Sequence, residues 1–393
     1  GQGNAGSVTI KAIGDITADG FTPNAFYSGV ASIVFREARG NAGDVNIFTN
    51  NLNLINGARV DTSTFGEGDA GSVTIKAVGD ITADGESYTD FLSTGAASSV
   101  EAGAVGNAGT LNIAANSLSL FNGGRIDVST LGLGIAGDLK IAVNFLSLNN
   151  NASISSTSSG ESISDAGNIT LNVTNSLQAI DSSINAASDL SSGGEIKVAA
   201  KDIYLRGNSD ILTNIDARGG SITLTAETII TFDDSDIFAF TRDGQEGNIF
   251  LNTNVFFAEN FTLNSLNTKN IEILKNNNRA DVNATGNVSI PDVSFIQNSL
   301  TELPNNSLKT DELVANSCVA PVGDRGEGKF IITGTESLPV RPGDGIPSKF
   351  PTGEVRSVPE KQSRWQPGEP IVEPQGAYRL ANGKLVLSRE CSQ

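Results

Sequence analysis

Apolar and polar residues alternate with period two through much of the chain. The clearest runs each follow a glycine: Val8/Ile10, Val45/Ile47, Val73/Ile75, Leu111/Ile113, Leu139/Ile141, Ile169/Leu171, Ile196/Val198, Ile222/Leu224 and Ile249/Leu251. Residues between them, such as Thr9, Asn46 and Lys140, are mostly polar. This alternation predicts a strand with one buried face. A second apolar pair follows in most units: Leu52/Leu54, Leu118/Leu120, Leu146/Leu148, Ile203/Leu205 and Val255/Phe257. A third, shorter run centres on Val60, Ile126, Ile154, Ile184, Ile211 or Ile237. Asn-Gly, Gly-Gly, Asn-Asn and Asp-Gly pairs punctuate the gaps as turns.

The units repeat. GNAGSVTIKAIGDITADG (Gly3–Gly20) returns as GDAGSVTIKAVGDITADG (Gly68–Gly85), an offset of 65. GNAGDVNIFTNNLNLINGARVDTSTFGEG from Gly40 returns from Gly106 at an offset of 66. The glycines that open the units are Gly6, Gly43, Gly71, Gly109, Gly137, Gly167, Gly194, Gly220 and Gly247, a base period of about 27 residues. Two units carry about ten extra residues, around Phe21–Gly40 and Glu86–Gly106. Three short strands per unit predict an all-β fold, a right-handed parallel β-helix in which no coil can bury its face alone. Nine coils at ~4.8 Å per strand make a rod roughly 40–45 Å long. A propeller blade needs about 40 residues and four antiparallel strands. Leucine-rich repeats need an Asn or Cys ladder that is absent, and helical solenoids need a period of 3.6.

Composition changes at Pro291: eleven of the twelve prolines lie there or beyond. The expected organisation is β-helix repeats over 1–290, a cap segment over 291–322, and a Pro-rich tail over 323–393. A cap is expected because the end of a solenoid leaves strand edges open. Arg341–Pro374 holds seven prolines and the only tryptophan, Trp365, which favours extended chain. The alternating runs around Asn382-Gly383 predict a terminal hairpin.

Charge removes several functions. There are 26 basic and 44 acidic residues, a net charge of −18, and no histidine. So acidic a surface opposes nucleic-acid binding, which needs phosphate neutralisation. Without histidine there is no Ser-His-Asp triad, Cys-His dyad or His-ligated zinc. Two cysteines cannot build a Cys₄ site. No apolar stretch approaches the ~18 residues of a membrane span. The chain opens at Gly1 and contains no Met, so it is read as part of a longer precursor whose signal peptide and N-terminal domain are missing.

The sharpest candidate for chemistry is Asp233-Asp234-Ser235-Asp236, with Asp243 further on. Clustered carboxylates suit calcium, or the acid pairs of β-helical polysaccharide lyases and hydrolases. The plainer reading is a turn between strands, where Asp is favoured. GGEIKV and GGSITL lack the tandem Gly-Gly-x-Gly-x-Asp of calcium-binding arrays. The Gly-Asn-Ala-Gly words are corners rather than phosphate loops, since no Lys-Ser/Thr or helix follows; their Asn is expected to stack as a ladder. Isolated Thr-x-Thr pairs such as Thr223/Thr225 do not make the array of an ice-binding face. Arg36, Arg39, Arg59, Arg125, Arg206 and Arg218 are scattered, although Arg59 and Arg125 occupy equivalent positions. Phe21, Phe26, Tyr27 and Phe35 in the first insertion are a candidate recognition patch or else pack back on the rod. The residues thus assign no catalytic, cofactor-binding or metal site.

The unit GNAGxVxIxxxxLxLxNGxxIxxST resembles the repeats of cyanobacterial exoproteins related to filamentous haemagglutinin, of the two-partner secretion family. The C-terminal series IPDVSFIQNSLTELP, LVANSC, KFIITGTESLPVRPGD and IVEPQGAYRLANGKLVLSREC is similar to the same group. The resemblance covers essentially the whole chain. It implies export through an outer-membrane partner transporter that recognises the missing N-terminal domain, and a secreted, cell-surface adhesin or structural filament without catalysis. A surface glycan or cell receptor is the expected ligand, and no cofactor is implied. The competing reading is a β-helical polysaccharide lyase or hydrolase using Asp233, Asp234 and Asp236. An exported chain would pair its only cysteines, Cys318 and Cys391. Closing that loop is worth on the order of 4 kcal/mol. By analogy the loop is a candidate surface anchor; two free thiols are the alternative.

Overall fold

The computed structural model describes residues 1–20, 28–85, 93–159, 164–213, 220–241, 247–259, 261 and 274–291, and further on 328–329, 354–357, 376–380 and 382–388. Every regular element among these residues is a strand. The chain forms two compact units, Gly1–Val293 and Ser294–Gln393.

The first unit is a parallel β-helix. Its inward column runs unbroken from coil to coil: Val8 faces Val45, Val45 faces Val73, and Leu111, Leu139, Ile169, Ile196, Ile222 and Ile249 follow in register. All these pairings are parallel, so each coil buries its apolar face only against its neighbours. The third-strand column is Val30, Val60, Ala96, Ile126, Ile154, Ile184, Ile211, Ile237 and Val282. One continuous core joins the columns from Val45 to Val282.

Two details differ from the sequence reading. The first and second strands of a coil belong to one bent 14-stranded sheet, and only the third strands form a separate nine-stranded sheet. In Leu111–Phe121, Leu139–Asn149, Ile169–Ile180, Ser221–Thr231 and Asn248–Ala258 the two segments are one uninterrupted strand. They separate where the join holds Gly14, Asn50-Asn51, Gly79 or Ala200-Lys201. The second difference is phase. Phe256 points inward, not Val255 and Phe257; Phe257 is exposed. Register with the preceding coil fixes this, because Phe256 pairs with the inward Ile229.

The opening glycines are required by close stacking. A Cβ on Gly137 would lie 1.9 Å from the Gly109 carbonyl oxygen, and one on Gly167 equally close to that of Gly137. Buried hydroxyls fasten this corner: Ser98 donates to the Gly71 carbonyl and Ser156 to that of Gly137. Beside it runs a polar ladder. The amides of Asn41, Asp69 and Asn107 donate to the side-chain oxygens of Asn4, Asn41 and Asp69 at 2.8–3.0 Å. Each rung satisfies a backbone donor of the next coil.

In the second unit, Gly328–Lys329, Glu354–Ser357, Gly376–Arg379 and Leu385–Ser388 form a four-stranded sheet. The last two strands are an antiparallel hairpin. Its turn has Gly383 at φ 85°, in the left-handed region glycine favours. Tyr378 and Val386 are buried together. Trp365 and almost all of the 291–322 segment lie outside the described residues, as do Cys318 and Cys391.

Candidate functional site

The third strands are three or four residues long. Their central residue points into the core, so the flanking residues face outward. Stacking places these flanks in two columns. One reads Gly29, Arg59, Gly95, Arg125, Ser153, Ser183; the other reads Ala31, Asp61, Ala97, Asp127, Ser155, Asn185. The coil with Gly95, Ala96 and Ala97 therefore sets small, buried residues between two coils that each carry an Arg–apolar–Asp triplet. Gly95 (φ 141°) cannot be replaced there, because a Cβ would meet the Arg125 carbonyl oxygen at 1.9 Å.

Glu101 belongs to the corner after that middle coil. It lines a groove of about 260 Å³ together with Arg59, Arg125, Asp127, Ser153 and Ser183. Arg59 and Asp61 form an ion pair at 3.3 Å with both side chains almost fully buried. The Ser63 amide donates to Asp61. Asp127 accepts from the hydroxyls of Ser99 and Ser129 and from the Ser129 amide. Arg125 is exposed and its Nε donates to Ser153 Oγ at 3.1 Å. Glu101 is only 7% exposed. Burial pushes its carboxyl up to about 7; Arg59 opposes the shift, Asp61 and Asp127 add to it, and Arg125 opposes it weakly. A carboxyl of this kind donates a proton or accepts a hydrogen bond near neutral pH. A larger depression of about 620 Å³ follows the bend of the first sheet, between Ala115, Ala142, Val143, Ala199 and Lys201. It brings together fewer charged groups.

The residues singled out from sequence separate. Asp233 sits in a left-handed turn (φ 59°) and accepts from the Gly207 amide at 3.0 Å. Asp234 accepts the successive amides of Asn276, Asn277 and Asn278 at 2.6–2.9 Å. Asp236 is fully buried and accepts from the Asp281 amide at 2.9 Å, while its Oδ2 has no hydrogen-bond partner. Burial, with Asp210, Asp281 and Asp234 nearby, pushes the Asp236 carboxyl up to about 8. These three carboxylates do turn, capping and interior work. Asp243, Phe21, Phe26, Tyr27 and Arg218 lie outside the described residues. Phe35 is exposed, Arg36 is exposed, Arg39 pairs with Glu67 and Arg206 lies near Asp233. Among the described residues no group of three His, Cys, Asp or Glu side chains is arranged to hold a metal ion. Asp61, Asp127 and Glu101 were not singled out. The recurring triplets Arg59-Val60-Asp61 and Arg125-Ile126-Asp127 were the available signal for two of them.

The fold defines a parallel β-helix protein with a polar groove on its third-strand face. No family model matches the chain, and no curated protein or solved structure matches it.

Proposed function

We propose that this chain is a secreted cell-surface adhesin or structural filament, a haemagglutinin-like exoprotein that acts without catalysis. The observation that carries the reading is the unbroken parallel stack of nine third strands over a continuous core. Such a scaffold extends a binding surface along its length without needing motion. The repeat and C-terminal words of the two-partner secretion family support export through an outer-membrane transporter to the cell surface. No helix among the described residues is long and apolar enough to cross a membrane. The test is a binding screen of the purified rod against glycans and against its producing cells. Adhesion or self-association is expected; neither appearing contradicts the reading.

A glycan-cleaving enzyme is the second reading, favoured by one observation. Glu101, with a carboxyl near neutrality, faces the same groove as Asp127, which is the kind of pairing that general acid–base cleavage uses. Turnover of a polysaccharide, lost in Glu101→Gln, would replace the adhesive reading.

A further inference from the structure

We propose that the groove lined by Glu101, Arg125, Asp127 and Ser153 binds a neutral, hydroxyl-rich oligosaccharide laid along the axis of the stack, with Glu101 and Arg125 as its main contacts. The proposal deepens the adhesive reading by naming its ligand class and its site.

Four observations support it. The first is extent. The groove reaches from the strand of Arg59 to that of Ser183, five third strands in register, or roughly 19 Å at ~4.8 Å per step. Each step is about the length of one sugar ring, so a linear saccharide meets the same face of every coil. The second is the hydrogen-bond inventory. Successive steps offer guanidinium donors, carboxylate acceptors and serine or threonine hydroxyls that do both. Sugar hydroxyls also donate and accept, and a surface offering both satisfies them in pairs.

The third observation is charge. Arg59 pairs with Asp61, and Arg125 lies two residues from Asp127 on the same outward face. The guanidiniums are thus offset, and Glu101 adds negative charge when ionised. The two guanidiniums in the lining, Arg59 and Arg125, are matched by Glu101 and Asp127, so the groove offers no net positive charge to a uronate, sulfated glycan or phosphate. The fourth is Glu101 itself. It is more than nine-tenths buried, it lines the groove, and only burial and charges perturb its carboxyl, with no hydrogen bond among the causes. Its carboxyl faces the groove, and a ligand hydroxyl there would replace the water at it with a hydrogen bond.

Binding should depend on pH in a stated direction. A ligand lying over Glu101 removes its remaining water and so disfavours the charged form. Arg59 and Arg125 oppose this, while Asp61 and Asp127 reinforce it. Affinity should therefore fall as pH rises through about 7, by about tenfold per pH unit at most.

The experiment is calorimetric titration of the full chain with short neutral oligosaccharides and, separately, with uronate oligosaccharides, alongside cell-adhesion and self-association assays. Saturable binding of a neutral series is expected, with uronates weaker. Arg125→Ala should lose at least about tenfold in affinity, as expected for a hydrogen bond from a charged group. Glu101→Gln should bind with a flat pH profile, and Asp233→Asn should bind as the wild type does. Circular dichroism checks that each variant is folded. Neutral-oligosaccharide binding that is indifferent to both Arg125→Ala and Glu101→Gln would overturn the site. No saccharide binding by a rod that still adheres or self-associates would overturn the ligand class and leave the adhesive reading intact. Loss of adhesion and self-association as well would remove both.

Discussion

One column of the third-strand face has two fates. In the middle of the rod it holds Arg59, Gly95, Arg125, Ser153 and Ser183, all of which except Gly95 line a groove. Towards the end of the first unit the same column holds Asp210, then Asp236 and Asp281, which precede the paired residues Ile237 and Val282. There the segment 274–279 lies across the face. Leu274 packs on Leu212, Phe238 and Phe240, Lys275 reaches Asp210 at 3.6 Å, and Arg279 meets Asp281 at 2.9 Å. The inward columns hardly differ between the two regions. What differs is what meets the outward flank: chain from further along covers Asp234, Asp236 and Asp281, while Arg125 stays exposed beside the groove. The covered acids are compensated in part by cations and in part by protonation.

The largest expected effect is on pH-dependent stability at the covered end. Asp236 has a carboxyl raised to about 8 against an ordinary value of 3.8. The folded chain therefore holds a proton that the unfolded chain has released over that window, so stability falls as pH rises from about 4 to about 8. Chemical denaturation across that range should show a loss of several kcal/mol. Asp236→Asn should flatten the slope and be the more stable protein at pH 9. An unchanged slope would mean the covered acid is not what titrates. Next is Asp234→Ala, which frees three amides of the covering segment and should cost about 3 kcal/mol. It should also raise binding of a hydrophobic dye as Phe238 and Phe240 lose their cover.

In the open region the effects are smaller. Glu101→Gln removes a carboxyl raised to about 7. The sign is the same: stability is lost between about pH 4.5 and 7, so the variant should gain about 1–3 kcal/mol at pH 8 over the wild type. Arg125→Ala is the smallest. Its side chain is exposed, and its loss should change stability by less than about 1 kcal/mol. A larger cost would mean that the groove is a structural element rather than an open surface.

The coil stack was legible because it is written locally. An inward pair two residues apart, an opening glycine and a turn recur in order, and the glycine has a stacking reason that no other side chain meets. The phase of Val255, Phe256 and Phe257 was less legible, since adjacent aromatics fit either face and only the register with Ile229 in the neighbouring coil resolves them. The groove was half legible. Arg59 and Arg125 are equivalent in the repeat, but Glu101 reaches the groove from a corner beyond the coil of Gly95, and its neighbours Asp61 and Asp127 come from the coils on either side. Asp236 reads as a turn residue in the sequence. Its burial depends on chain some forty residues further on, for which the local pattern holds no cue.

Proton uptake tests the account most directly. Titrating the chain at pH 7.5 with a neutral oligosaccharide that it binds, in two buffers of different ionisation enthalpy, measures the protons taken up on binding. A ligand seated over Glu101 should draw in a fraction of a proton. That uptake should vanish in Glu101→Gln and persist in Asp236→Asn. Binding with no proton uptake, or uptake that survives Glu101→Gln, would contradict the assignment of the open groove as the saccharide site.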